Sequence, residues 1–300
     1  EDLASQAFAA AVEDHDVFGR VTPEQKRAMV HALQAQGHAV AMTGDGVNDT
    51  LALKDADLGI AMGNGAAATK AVAQIVLVDG RFSVLPGVVA EGRRIIANME
   101  RVSSLFLAKT TYAAVIAVLC AVFAWTYPFL PRHFTYIDAF TIGIPAFFIA
   151  LGPNRRRYVP GFLRRTLSLA VPTGVYLSAA ALVSYAVVGM GTVSGQTAAT
   201  LALMTGALWL LSITARPLVS WRVGLLVLMA AASVGGVLVP VVRTFFALQW
   251  PTGGQWLVIL VSGAVACALI ESTHRLFSGR RHAEAERRGA VRSPTPTSGA

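Results

Sequence analysis

The run Thr43-Gly44-Asp45-Gly46-Val47-Asn48-Asp49 sets two carboxylates, an amide and a hydroxyl among a pair of glycines. Glycine lets a backbone turn tightly, and a tight turn brings Asp45 and Asp49 towards one crevice. Magnesium is a hard ion that takes oxygen ligands, so a carboxylate in that crevice can hold it against a phosphoryl group. An isolated Gly-Asp-Gly reads more readily as an ordinary turn. Its surroundings have to choose between the two readings.

Those surroundings supply a scaffold. Residues 1–95 alternate helical and strand patterns. A helix is expected over 23–36, capped by Thr22, opened by Pro23 and stopped by Gly37. The apolar run 40–43 leads straight into Gly44-Asp45-Gly46 and reads as a buried strand. Further strands are expected at 58–62, closed by Gly63-Asn64-Gly65, and at 75–79, with helical stretches at 48–54 and 66–73 between them. Short strands alternating with helices predict a parallel α/β sheet, which binds ligands at the carboxyl ends of its strands.

From residue 84 the character changes. The stretch 84–101 is helix-compatible without a breaker and runs on as a stalk into a first membrane-length segment. Five more apolar segments follow, at 134–151, 166–188, 197–215, 223–242 and 256–272, most of them near the length needed to cross hydrocarbon. The composition agrees, with 54% hydrophobic and 14% charged residues. The net charge of +8 is concentrated beside apolar segments: Arg155, Arg156, Arg157, Arg164 and Arg165 in one gap, Arg216 and Arg222 around another, Arg275, Arg280 and Arg281 after the last. This is the positive-inside pattern, with Trp125, Tyr127, Trp250 and Trp256 at the opposite ends of the segments. It argues against nucleic acid as a partner, because no basic face interleaved with aromatics accompanies the charge. Membrane lipid is the expected surrounding. Cys120 and Cys267 both lie in apolar runs and support neither a disulfide framework nor a zinc site. The chain opens on Glu1 without a methionine or signal peptide and reads as part of a longer polypeptide.

Three strings taken together resemble the hinge region of the P-type ATPases: Arg20-Val21-Thr22-Pro23-Glu24-Gln25-Lys26, then Ala41-Met42 into the Thr43–Asp49 run, then residues 52–63 from Ala52-Leu53-Lys54-Asp55 to Gly63. The resemblance implies a haloacid-dehalogenase-like (HAD-like) Rossmannoid phosphorylation-domain segment followed by an all-α polytopic membrane domain of about six helices. It implies that Asp45, together with Asp49, serves the metal Mg2+, that Asn48 and Asp49 shape the site around the phosphoryl group, that Thr43, Gly44 and Gly46 form the phosphate loop, and that Lys26 contacts phosphate oxygens. Taken alone, Lys26 is a solvated helix lysine. A lysine and a carboxylate-held metal do supply the electrostatics that phosphoryl transfer requires. The family's Asp-Lys-Thr-Gly-Thr and Thr-Gly-Glu strings are absent from the 300 residues. ATP would therefore bind a nucleotide domain in the missing N-terminal half of the polypeptide, and this chain alone should be inactive. The expected division is 1–95 for the phosphorylation domain and stalk, 96–272 for the membrane domain, and 273–300 for a cytoplasmic disordered tail. The expected location is the bacterial plasma membrane, with residues 1–95 and the C-terminus cytoplasmic.

The segments from Gly92-Arg93-Arg94 and from Asp138 to Ala146 resemble the family's fifth and sixth membrane helices, but the usual calcium ligands are not reproduced. Thr110 and Ala113 stand where calcium pumps have asparagine and glutamate, Asp138 stands in place of an asparagine, and Ile142 replaces an aspartate. Lys109 and Asp138 are the conspicuous ionisable residues inside the segments, where charge is costly unless paired. They are expected to pair beside the transport pathway; a snorkelling lysine and an interfacial aspartate form the alternative. Pro145 should break the sixth helix and free carbonyls around 140–142, near Thr141, for a cation; a plain kink is the competing view. Ala108-Lys109-Thr110-Thr111-Tyr112-Ala113 and Gly152-Pro153-Asn154-Arg155-Arg156-Arg157 resemble the actinobacterial cation-transporting ATPase E branch, which favours calcium as the metal cation substrate. A membrane-anchored phosphatase of the same superfamily and a non-catalytic regulatory fragment remain as other classes.

Overall fold

The structure, a computed structural model, describes residues 5–152, 159 and 161–292, with side chains through Phe277. The string at 153–157 lies outside the described residues. The chain divides into two compact units, Glu1–Ala90 and Glu91–Ala300.

In the first unit, α1 (Gln6–Asp14) starts at Ser5, whose Oγ accepts from the Phe8 amide. Helix α2 (Pro23–Ala35) opens on a reciprocal cap. The Gln25 amide donates to Thr22 Oγ1 at 3.3 Å and the Thr22 amide to Gln25 Oε1 at 2.9 Å, satisfying two otherwise orphaned donors. Gly37, at φ +89°, follows its end. Strand β1 (Ala41–Gly44) leads through a 3-10 turn, Val47–Asp49, into α3 (Thr50–Asp55). Next come β2 (Leu58–Met62), α4 (Ala67–Val72) and β3 (Ile75–Leu77). Among the described residues these form one parallel sheet in the order β1-β2-β3, with Ala41 opposite Leu58 and Ile60 opposite Ile75. The central strand is buried over Gly59, Ile60 and Ala61, and Val30 of α2, Ala52 of α3 and Ala56 just after α3 pack with Val40 and Met42 of the β1 segment. Strand β1 begins one residue later than its apolar pattern suggests. The Val40 amide is instead clamped by Asp57 Oδ2 at 2.8 Å, while the Val40 carbonyl accepts from Leu58.

The second unit is helical. Helix α5 (Leu85–Val122) starts at the end of the first unit and continues without interruption. Then α6 (Pro131–Asp138), a π-helical turn (Ala139–Gly143) and α7 (Ile144–Leu151) make one membrane-length element. They are followed by α8 (Phe162–Val188), α9 (Val193–Thr214), α10 (Ser220–Leu238), α11 (Pro240–Phe245) and α12 (Gly253–Arg292). Six elements among the described residues are long and apolar enough to cross a membrane. Helix α9 is the most enclosed, packed between α8 and α12. Its Ala198, Ala199, Ala202, Gly206 and Ala207 let neighbouring backbones approach, as small residues do where the surroundings give no hydrophobic drive between helices. Hydrogen bonds between Ser184 Oγ and Ser262 Oγ (2.6 Å) and between Tyr176 Oη and Thr273 Oγ1 (3.2 Å) join α8 to α12. Helix α12 runs on to Arg292, into the segment expected as a tail from residue 273. The added run is rich in Ala, Glu and Arg, which are strong helix formers.

Candidate functional site

Asp45 follows the carboxyl end of β1, where the sheet's ligand crevice belongs. The chain then folds back: the Asp49 amide donates to the Gly46 carbonyl at 3.1 Å, closing the 3-10 turn. This buries Asp49 to 7% exposure and leaves Asp45 and Asn48 exposed. Lys26 reaches across from α2, its Nζ 2.6 Å from Asp49 Oδ1. Thr43 lies in β1 opposite Ile60. The structure therefore brings together Lys26, Gly44, Asp45, Gly46 and Asp49, and sets Asn48 at the rim.

Gly44 is required by contact rather than by φ. A Cβ there would stand 2.6 Å from Asp49 Cβ and 2.8 Å from Asp49 Oδ2, closer than real atoms come. The Asp49 side chain rests in the space glycine leaves.

A second loop, after β2, holds the first in place. The Ala66 amide donates to the Asp45 carbonyl at 2.7 Å, and Thr69 Oγ1, fully buried, donates to the Gly46 carbonyl at 2.8 Å. Gly65 passes so near that a Cβ would meet the Asp45 carbonyl oxygen at 2.8 Å. From the sequence, Gly63-Asn64-Gly65 reads only as a strand stop. The signal was available, because β1 and β2 are parallel neighbours and their carboxyl-end loops must lie side by side.

The donor set suits magnesium. Among the described residues the exposed Asp45 carboxylate makes no hydrogen bond, while Asp49 Oδ1 is engaged by Lys26. Among the described residues no group of three or more His, Cys, Asp or Glu side chains converges. Magnesium keeps several waters and binds through one or two carboxylates plus phosphate oxygens, so it needs no such cage.

In the membrane-length helices, Lys109 on α5 forms an ion pair with Asp138 at the end of α6, as expected. The π-helical turn begins at the next residue. Thr141, buried in that turn, donates its hydroxyl hydrogen to the Ile137 carbonyl at 2.8 Å and keeps its oxygen lone pairs. Pro145 occupies the first turn of α7, where a missing amide costs least. The helix is thus loosened just upstream of the proline. Thr110 is not brought to the pair: it is exposed, with its hydroxyl on the Phe106 carbonyl at 3.0 Å. Glu271 pairs with Arg216 and Arg275, each at 2.9 Å.

A family model for haloacid dehalogenase-like hydrolases matches residues 2–57. The calcium-transporting ATPase CtpE of Mycolicibacterium smegmatis is 45% identical over 283 residues, covering 89% of this chain and 36% of that protein. The protein of the same name from Mycobacterium tuberculosis is 44% identical over 284 residues, with the same coverage of 89% and 36%. A probable cation-transporting ATPase, exp7, of Streptococcus pneumoniae is 37% identical over 181 residues, covering 58% of this chain and 23% of that one. The chain spans about a third of the length of the mycobacterial relatives it matches.

Proposed function

We infer that this chain, a relative of the P-type cation-transporting ATPases, supplies the metal-binding loop and six membrane helices of an ATP-driven cation pump. The observation that carries this reading is the Lys26–Asp49 pair beside the exposed Asp45, at the carboxyl end of a parallel sheet, in a chain that also holds six membrane-length helices. Mg2+, when bound, would spread the negative charge of a phosphoryl group. Asp45 would hold it, Lys26 would meet phosphate oxygens, and Asp49 would fix the Lys26 ammonium while bordering the metal. Thr43, Gly44 and Gly46 shape the loop, and Asn48 stands at its entrance.

Strand β1 is an edge of the sheet among the described residues. Its free side can take one more parallel strand, and a strand paired there would set its own carboxyl end against Asp45. That is where an acceptor aspartate from the rest of the polypeptide would form the aspartyl-phosphate. The sheet unit and the C-terminus would face the cytoplasm of a bacterial plasma membrane, with residues 1–95, 96–272 and 273–300 as phosphorylation part, membrane part and tail.

The transported metal cation, calcium by the names of the mycobacterial relatives, would pass between α5 and α6, where Lys109, Asp138, Thr141 and the turn before Pro145 lie. The test uses the full-length protein. Asp45→Ala should reduce labelling by γ-phosphate-labelled ATP by at least about a hundredfold, the scale of removing a principal electrostatic contact to the transferred group. Wild-type labelling of that variant would overturn the reading.

A further inference from the structure

Two buried oxygens go unpaired where α5 meets α6. Tyr112 is 2% exposed, yet its hydroxyl has no hydrogen-bond partner among the described residues. Asp138 has Oδ2 engaged by Lys109, while its buried Oδ1 has no partner. Buried polar atoms are almost always satisfied by protein, water or an ion, so two in one region offer a place for something polar.

They belong to one region by helix geometry. Lys109 and Tyr112 are three residues apart on α5, a spacing that puts side chains on the same face. The face that delivers the ammonium to Asp138 therefore also carries the phenol, one turn further along.

We propose that Tyr112 is a cation-positioning residue, its hydroxyl oxygen and Asp138 Oδ1 together holding a hard divalent cation between α5 and α6. The available donors are oxygens: Asp138 Oδ1, Tyr112 Oη and the lone pairs of Thr141 Oγ1. Such a set selects a hard ion over zinc or copper. It falls short of the roughly six to eight oxygens calcium takes, so the ion keeps water or gains ligands from outside this chain. Lys109 already offsets the charge of Asp138, which leaves neutral oxygens such as Tyr112 to set how tightly the ion is held.

The proposal rests on reading the α5–α6 contact as the ion pathway, and the experiment separates the two. Equilibrium binding of labelled calcium is measured on the purified full-length protein for wild type, Tyr112→Phe and Asp138→Asn, together with the melting temperature in calcium-free buffer. Tyr112→Phe should weaken calcium binding about tenfold, the loss that goes with one good contact, and should melt at or above the wild-type temperature. A purely structural tyrosine predicts the opposite for binding, because deleting an unpaired buried hydroxyl would leave affinity unchanged. Wild-type affinity in Tyr112→Phe beside lost affinity in Asp138→Asn overturns the role of Tyr112 alone. Wild-type affinity in both, or no calcium bound by the wild type, overturns the pathway reading as well. Tyr112→Met, which also lacks the hydroxyl, is read the same way and decides the matter should the first variant not fold.

Discussion

Asp49 must meet Lys26 and lie over Gly44 at once, and the second condition can be tested separately. In Gly44→Ala the added methyl would press on Asp49 Cβ, which is fixed to the backbone and cannot swing aside. Overpacking of that kind costs about 1–3 kcal/mol, and relief requires Asp49 to leave its position against Lys26. Labelling of the full-length protein by ATP should then fall by about tenfold or more. Gly46→Ala meets nothing nearer than 3.8 Å and should cost much less. Equal labelling in the two variants would show that the close approach at Gly44 has no bearing on the site. The turn itself was legible in the sequence, since glycines flank Asp45 directly after an apolar run. The part played by Thr69 was not. Its hydroxyl reaches the Gly46 carbonyl only after β1 and β2 have paired, and nothing local to residues 66–73 marks it as more than a helical threonine. The orphaned Tyr112 hydroxyl was hidden for the same reason: an unpaired group is defined by what fails to surround it.

The elements themselves were more legible than their ends. Thr22, Pro23 and Gly37 bounded α2 correctly because capping is a local matter, settled within one turn. Strand β1 is set by something non-local, the Asp57 carboxylate on the Val40 amide. That hydrogen bond, followed by one from the Gln34 side chain, holds the Asp57 carboxyl below its ordinary value of 3.8. Arg27 does the same for Asp55, joining α2 to the end of α3. A carboxyl whose folded value is depressed stabilises the fold fully above its unfolded value, and the contribution fades as pH falls through the folded one. Asp57→Asn should therefore melt below wild type at pH 6, with the gap closing as pH drops below 3.8. A gap that stays constant down to pH 2.5 would remove the charge from the account. The sixth-segment break was legible in kind but not in place. Pro145 announced it, yet proline is accepted in the first turn of α7, and the slack appears upstream as the π-helical turn over Ala139–Gly143. Such turns add one residue to a helix and carry no composition of their own.

At the scale of the molecule the decisive element is α5, unbroken from Leu85 to Val122. One of its turns grips three other helices. Asn98 donates to the Ala150 and Gly152 carbonyls at the end of α7 (3.0 and 2.8 Å), and Glu100 takes Arg165 of α8 at 2.9 Å. Arg101 donates to the Arg216 carbonyl just past α9, also at 2.9 Å. Any shift of α5 at residues 98–101 is thereby handed to three neighbours together. If phosphorylation drives transport along this helix, the stretch between Leu85 and the grip must be stiff. Ile95 and Ile96 lie there and are exposed, so Ile95→Gly with Ile96→Gly would soften the backbone while removing little packing. Each glycine costs a helix up to about 1 kcal/mol, small beside the stability of a domain but placed where bending matters. The full-length double variant should keep ATP labelling within about twofold of wild type, since a shift that small is under half a kcal/mol. Calcium carried per ATP hydrolysed in vesicles should fall clearly. An unchanged ratio would mean that motion reaches the ion path by another route, and equal loss of labelling and transport would mean that the helix serves only to hold the fold.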